Sequence, residues 1–142
     1  MALANRLGKM LTGGELICLQ GDLGAGKTVF VRGLAEGLGC DLSEVSSPTY
    51  VLERVYPGRR LLLRHLDAYR LSGPEEFEES DLNSGLNAPD TVSALEWPGR
   101  VEDSLPAFRL DVRITATGEN ERKISMTVRQ GCCEKLIGKL GG

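Results

Sequence analysis

The chain has 142 residues, 41% hydrophobic and 26% charged, with 17 Lys and Arg against 20 Asp and Glu for a formal net charge of −3. These values describe one globular domain with a substantial core, and they disfavour both disorder and a freestanding nucleic-acid binder, which needs a basic excess against phosphate. No apolar run approaches membrane-spanning length and no charged-then-apolar leader opens the chain, so a cytoplasmic protein is expected.

Ala2 to Leu11 reads as a helix with Leu3, Leu7, Met10 and Leu11 on one face, stopped by Thr12-Gly13-Gly14. Leu16 to Gln20 is a short buried strand that runs directly into Gly21-Asp22-Leu23-Gly24-Ala25-Gly26-Lys27-Thr28. This octet spells G-x-x-x-x-G-K-S/T, a phosphate-binding P-loop. Its glycines let backbone N–H groups turn toward an anion, Lys27 reaches the β- and γ-phosphates, and the Thr28 hydroxyl ligates Mg²⁺. Val29 to Leu38 continues as a helix whose positive end faces the same anion, with Gly39 as its stop.

Ser46-Ser47-Pro48 interrupts the pattern. Thr49 to Tyr56 and Arg59 to Asp67 are rich in strand formers around a Pro57-Gly58 turn, which predicts an antiparallel hairpin. Ser72-Gly73-Pro74-Glu75-Glu76 opens a short helix, with Pro and acids in its first turn. Val92 to Trp97 is a further buried strand ending at Pro98. Phe108 to Thr117 alternates as a strand with a partner through Ile124, Met126 and Val128, and a helix from about Cys132 to Leu140 closes the chain.

Helices and buried strands alternating around a P-loop predict a single α/β domain over residues 1–142. Its expected form is a P-loop NTPase-like three-layer sandwich on a mixed, mostly parallel sheet. Ligands in such sheets bind at the carboxyl ends of the strands, where Asp67 and Glu96 fall. A carboxylate there holds Mg²⁺ or orients an attacking water. His65 shares the parity of Asp67, and its readings are a packed or solvated strand histidine and a side chain that points to the same site as Asp67. Cys18 lies in the apolar strand as a small core residue. Cys132 and Cys133 show no metal-type spacing and read as a helix start with incidental thiols, a vicinal redox pair being the alternative.

GDLGAGKT, then Ser47-Pro48-Thr49-Tyr50, then His65-Leu66-Asp67-Ala68-Tyr69-Arg70-Leu71, then Leu95-Glu96-Trp97-Pro98, in that order, resemble the bacterial TsaE (YjeE) family over nearly the whole chain. The resemblance implies the ATPase of the machinery that makes threonylcarbamoyladenosine in tRNA. Such a protein acts with a TsaB-TsaD type complex that carries out the transfer itself and meets tRNA through that complex. It implies ATP and Mg²⁺ at Gly21 to Thr28. Thr49 falls in a switch-like loop that senses the γ-phosphate or metal, Glu96 matches the Mg²⁺-side acid, and Asp67 matches an acid acting on water or metal. Trp97 would follow at the nucleotide end of the sheet, and Arg122 would match a basic residue near the nucleotide. Family members usually carry a strand before the first helix, whereas Met1 falls almost inside that helix. Either the sheet lacks this edge strand or the start lies downstream of it.

Two other classes use the same cradle. A P-loop kinase passes the γ-phosphoryl to a small acceptor beneath an arginine-bearing lid, for which Arg54, Arg59, Arg60 and Arg64 of the hairpin are candidates if they are not simply solvated charges. A non-catalytic module would use ATP only to fix the switch loop. A GTPase is disfavoured by the lack of an N-K-x-D run.

Overall fold

The computed structural model describes residues 2–22, 24–45 and 52–140, with the backbone alone at Glu44. Six strands form one sheet in the order β2-β3-β4-β1-β5-β6, comprising β1 (Leu16–Gln20), β2 (Glu53–Pro57), β3 (Leu62–Asp67), β4 (Thr91–Glu96), β5 (Arg109–Ala116) and β6 (Arg122–Arg129). The four inner strands run parallel. The β2–β3 and β5–β6 hairpins add an antiparallel strand at each edge. This is the expected α/β architecture, and both hairpins form as the turn residues require.

Burial follows position. All of β4, flanked by β3 and β1, is buried, whereas edge strand β6 buries alternate residues only partly. The helices are α1 (Ala2–Met10), α2 (Lys27–Leu38), α3 (Pro74–Glu79) and α4 (Glu134–Leu140). The core on one face joins Leu7 and Leu11 from the first helical segment, Phe30, Val31 and Leu34 from α2, and Ile17, Leu19, Leu63, Val92 and Ala94 from the sheet, with Leu136 and Ile137 of α4 against it. On the other face Phe77 of α3 packs with Leu16, Cys18, Leu66 and Leu95. These two cores make the three layers. They also fix the parity of the site, because His65, Asp67 and Glu96 share the face of Leu63 and Ala94, under α2.

Helices α1 and α2 approach backbone to backbone at Gly8 and Gly37. A Cβ at Gly8 would stand 2.5 Å from the Leu34 carbonyl oxygen, and one at Gly37 would stand 2.3 Å from that of Asn5. Asn5 Nδ2 donates to Glu36 Oε1 at 2.8 Å across the same crossing. Among the described residues no helix is long and apolar enough to cross a membrane.

The C-terminal helix begins at Glu134, two residues later than the expected start. Cys133 has φ 65° and so cannot continue a right-handed turn. Both thiols are buried, with their sulfurs 3.5 Å apart. Cys18 is core, as its apolar neighbours require.

Candidate functional site

The site is assembled from four strand ends. β1 stops at Gln20, and the chain turns through Gly21 to enter α2 at Lys27. Gly24 and Gly26 adopt φ 80° and 109°, and the turn is tied by Ala25 N–H donating to the Asp22 carbonyl at 3.0 Å. Left-handed backbone at Gly26, the N-cap of α2, is what lets the loop curl over the helix end. No side chain caps that end, so the positive pole of a 12-residue helix opens into the loop. Leu23 lies outside the described residues.

Lys27 is buried to 5% exposure and points back into the loop, its Nζ donating to the Gly21 carbonyl at 2.7 Å. Burial lowers the pKa of its ammonium, and the nearby carboxylates of Glu96, Asp67 and Asp22 oppose that shift. Thr28 follows in the first turn, partly exposed.

Register sets the two acids side by side. β3 and β4 are parallel with Asp67 opposite Glu96, and Glu96 is in turn opposite Leu19 of β1, one residue before Gln20. Glu96 is 3% exposed. Asp67 is half-buried, and burial raises its carboxyl pKa, against a lowering hydrogen bond from Tyr69 N–H to Oδ1 at 2.9 Å. Among the described residues no set of three His, Cys, Asp or Glu gathers as a metal cage. A cation here would draw ligands from a bound phosphate and water as well as from Thr28 and an acid, which suits Mg²⁺.

Three further side chains close the site. Trp97, in left-handed backbone at φ 60°, lays its ring under the Lys27 ammonium, with Nζ 3.4 Å from the ring centroid. Tyr69 stacks on that ring at a centroid distance of 4.9 Å, and Arg100 lies over Tyr69 at 5.2 Å. Trp97 thus touches the P-loop lysine on one side while it also packs against the second core. Arg122, at the start of β6, donates from Nε to the Ala25 carbonyl at 2.9 Å and from Nη2 to the Gly24 carbonyl at 3.4 Å. It therefore braces the loop's outer wall. Asp22, Trp97 and Arg100 with Arg113 line an open cleft beside Gly21.

Two side chains differ from the sequence expectation. His65 is fully buried, and its Nε2 lies 2.5 Å from Glu96 Oε2, so it belongs with the strand-end acids. Arg64 is not a solvated charge: it pairs with Glu53 and donates to the Leu82 and Ser84 carbonyls, pinning the segment after α3. Arg59 and Arg60 lie in the turn before β3, at the opposite end of the parallel strands from the P-loop. Thr49 and its neighbours Ser47, Pro48 and Tyr50 fall outside the described residues.

Residues 1–124 match the family model described as Threonylcarbamoyl adenosine biosynthesis protein TsaE. A Streptomyces coelicolor protein named tRNA threonylcarbamoyladenosine biosynthesis protein TsaE is 43% identical over 132 residues, spanning 88% of this chain and 87% of that protein. A Bacillus subtilis protein of the same name is 38% identical over 127 residues, spanning 89% of this chain and 78% of its own length. The crystal structure of Bacillus subtilis YdiB superposes with a TM-score of 0.76 at 33% identity, covering 99% of this chain and 85% of that one. With a P-loop, two strand-end acids and a family match over most of its length, the chain belongs to the TsaE family.

Proposed function

We propose that this chain binds ATP with Mg²⁺ at Gly21 to Thr28 and hydrolyses it, as the ATPase of the tRNA threonylcarbamoyladenosine machinery working with a TsaB-TsaD type complex. The observation that carries the reading is convergence. Lys27 at the start of α2 and Asp67 and Glu96 at the ends of the adjacent parallel strands β3 and β4 meet at the open end of α2.

Each group has a role its surroundings support. The loop N–H groups and Lys27 bind phosphate oxygens, and Lys27 has only to exchange the Gly21 carbonyl for one of them. Thr28 and Glu96 hold the metal, and Thr49 senses the γ-phosphate or metal from its loop. Held by Thr28 and Glu96, Mg²⁺ would offset the charge that develops on the phosphate oxygens. Asp67 orients the attacking water for in-line approach, and its raised pKa makes it a better proton acceptor than an exposed carboxylate. Trp97 shields the Lys27 ammonium from solvent on one side, and Arg122 keeps the loop's wall in place. The same reading implies a cytoplasmic protein that meets tRNA through its partner complex.

The kinase alternative needs an arginine-bearing lid. Arg59 and Arg60 are at the far end of the sheet, and Arg64 is committed to Glu53, Leu82 and Ser84, which leaves of the four hairpin arginines only Arg54, exposed on β2 opposite His65, where a lid needs several. Phosphate release from Mg-ATP, with and without a TsaB-TsaD complex and with and without small hydroxyl acceptors, tests the proposal. Stimulation by the complex and none by acceptors is expected. Acceptor-dependent transfer, or turnover indifferent to the complex, would overturn it.

A further inference from the structure

His65 is the one described side chain whose ring is fully buried, whose sole hydrogen bond goes to a strand-end acid, and whose other ring nitrogen has nothing to bond. We propose that His65 is a positioning residue: its Nε2–H donates to Glu96 Oε2 and holds the carboxylate in the orientation that receives the metal. This rests on the proposed role of Glu96 at the metal side of the nucleotide site.

The argument begins with register. His65 on β3 stands opposite Ala94, and Asp67 opposite Glu96, so His65 lies one same-face step behind the acids, toward the interior of the sheet. Ala94 is too small to fill the space between them. The imidazole takes that space, with Leu63 behind it on the same strand face. A carboxylate 3% exposed requires a donor, and among the described residues His65 is the only one that reaches Glu96.

Nδ1 has no partner among the described residues, so the hydrogen bond to Glu96 is the ring's one polar contact. Protonated on Nε2 alone, the ring gives its single N–H to Glu96 and leaves only an unpaired acceptor at Nδ1. Protonated on Nδ1 alone, it would bury an orphan N–H and set two lone pairs, Nε2 and Oε2, against each other at 2.5 Å. With Oε2 taken, the second oxygen of Glu96 is left for a ligand. Carboxylates that ligate metals are commonly oriented by such outer partners, and losing one typically weakens metal affinity 10–100-fold.

The test uses two variants and two readouts. In His65→Gln the side-chain amide keeps a donor near the position of Nε2, and in His65→Leu volume is kept and the donor is lost. ADP affinity is measured calorimetrically with Mg²⁺ and with chelator. The expected result is that all three proteins bind ADP alike in chelator, that Mg²⁺ tightens wild type and His65→Gln similarly, and that His65→Leu loses about tenfold or more of the tightening. A folded His65→Leu that keeps the full Mg²⁺ effect would overturn the role of His65 alone. Wild type that binds no tighter with Mg²⁺ would overturn the metal role of Glu96 itself. Ring-nitrogen NMR of wild type without nucleotide reports on the pair directly. A protonated Nε2, and a shift of its resonance in Glu96→Gln, are expected, whereas an Nε2 that carries no proton would overturn the proposal.

Discussion

Lys27 Nζ sits 3.4 Å from the centroid of the Trp97 ring while donating to the Gly21 carbonyl at 2.7 Å. The ammonium that the motif assigns to phosphate is thus held between a π face and a backbone oxygen, and any anion that draws it away changes the field at the only tryptophan of the chain.

Nucleotide should therefore be visible in Trp97 emission. ADP or ATP with Mg²⁺ is expected to change its fluorescence saturably. Lys27→Ala should give a small or right-shifted response, which separates site occupancy from absorption by the nucleotide. A flat wild-type signal under conditions where calorimetry records binding would contradict this placement of Trp97.

Asp67 carries a cost at neutral pH. Its folded pKa lies above the ordinary carboxylate value, chiefly through burial, so ionising it is harder in the native protein than in the unfolded chain. Below the unfolded pKa both states are protonated and there is no penalty. The penalty grows as pH rises toward the folded pKa and is complete above it. Asp67→Asn should accordingly raise Tm at pH 7, with the gain vanishing as pH falls below the ordinary carboxylate range. Its ATP turnover should fall about 100-fold or more if Asp67 handles the water. A lowered Tm at pH 7 would contradict the electrostatic account, and unchanged turnover the catalytic one.

The α1–α2 crossing is tight enough to reverse the usual effect of a helical Gly→Ala change. In an open helix that change gains up to about 1 kcal/mol, as expected for Gly138→Ala, where a Cβ meets nothing within 4 Å. At Gly37 the added carbon meets backbone at 2.3 Å, and overpacking of that kind costs about 1–3 kcal/mol. Urea midpoints should fall for Gly37→Ala and hold or rise for Gly138→Ala. A raised midpoint for Gly37→Ala would mean the helices stand further apart.

All four cysteines are buried, and the Cys18 thiol is pushed up to about 12, mainly by burial. The Cys133 thiol is also raised, by its hydrogen bond to Cys132 and by burial, while the same bond lowers the Cys132 thiol. Native protein at pH 8 should react slowly with a disulfide reagent, and all four thiols should label readily only on unfolding. Rapid stoichiometric labelling of the native state would contradict this burial.

Much of this site was legible from local pattern. The strand, loop and helix around Gly21 to Thr28 are contiguous in sequence, and turn chemistry at Pro57-Gly58 and Gly118-Glu119-Asn120 announces the two hairpins. Strand-end acids follow from the rule that open α/β sheets bind at carboxyl ends, which holds whatever the strand order. What required the fold were relationships set by register and packing. The His65–Glu96 bond depends on β3 pairing with β4 in parallel at one particular offset. The Gly8–Gly37 crossing joins residues on two helices whose separate patterns mention neither partner. The seat of Lys27 on Trp97 depends on a left-handed residue just past β4, which no propensity favours for tryptophan.

The central claim is that Gly21 to Thr28 binds nucleotide phosphate through Lys27, and calorimetric titration of Mg-ADP into wild type and Lys27→Ala tests it most directly. The Lys27 ammonium lies between the Gly21 carbonyl and the Trp97 ring and outside the apolar core, so the variant should keep its fold by far-UV circular dichroism. Charge-assisted hydrogen bonds contribute about 1.5–3 kcal/mol each, which corresponds to a loss of at least about tenfold in affinity. Saturable one-site binding in wild type and its loss in the folded variant is the predicted result. Equal affinity in the two proteins, or no binding by wild type, would contradict the account.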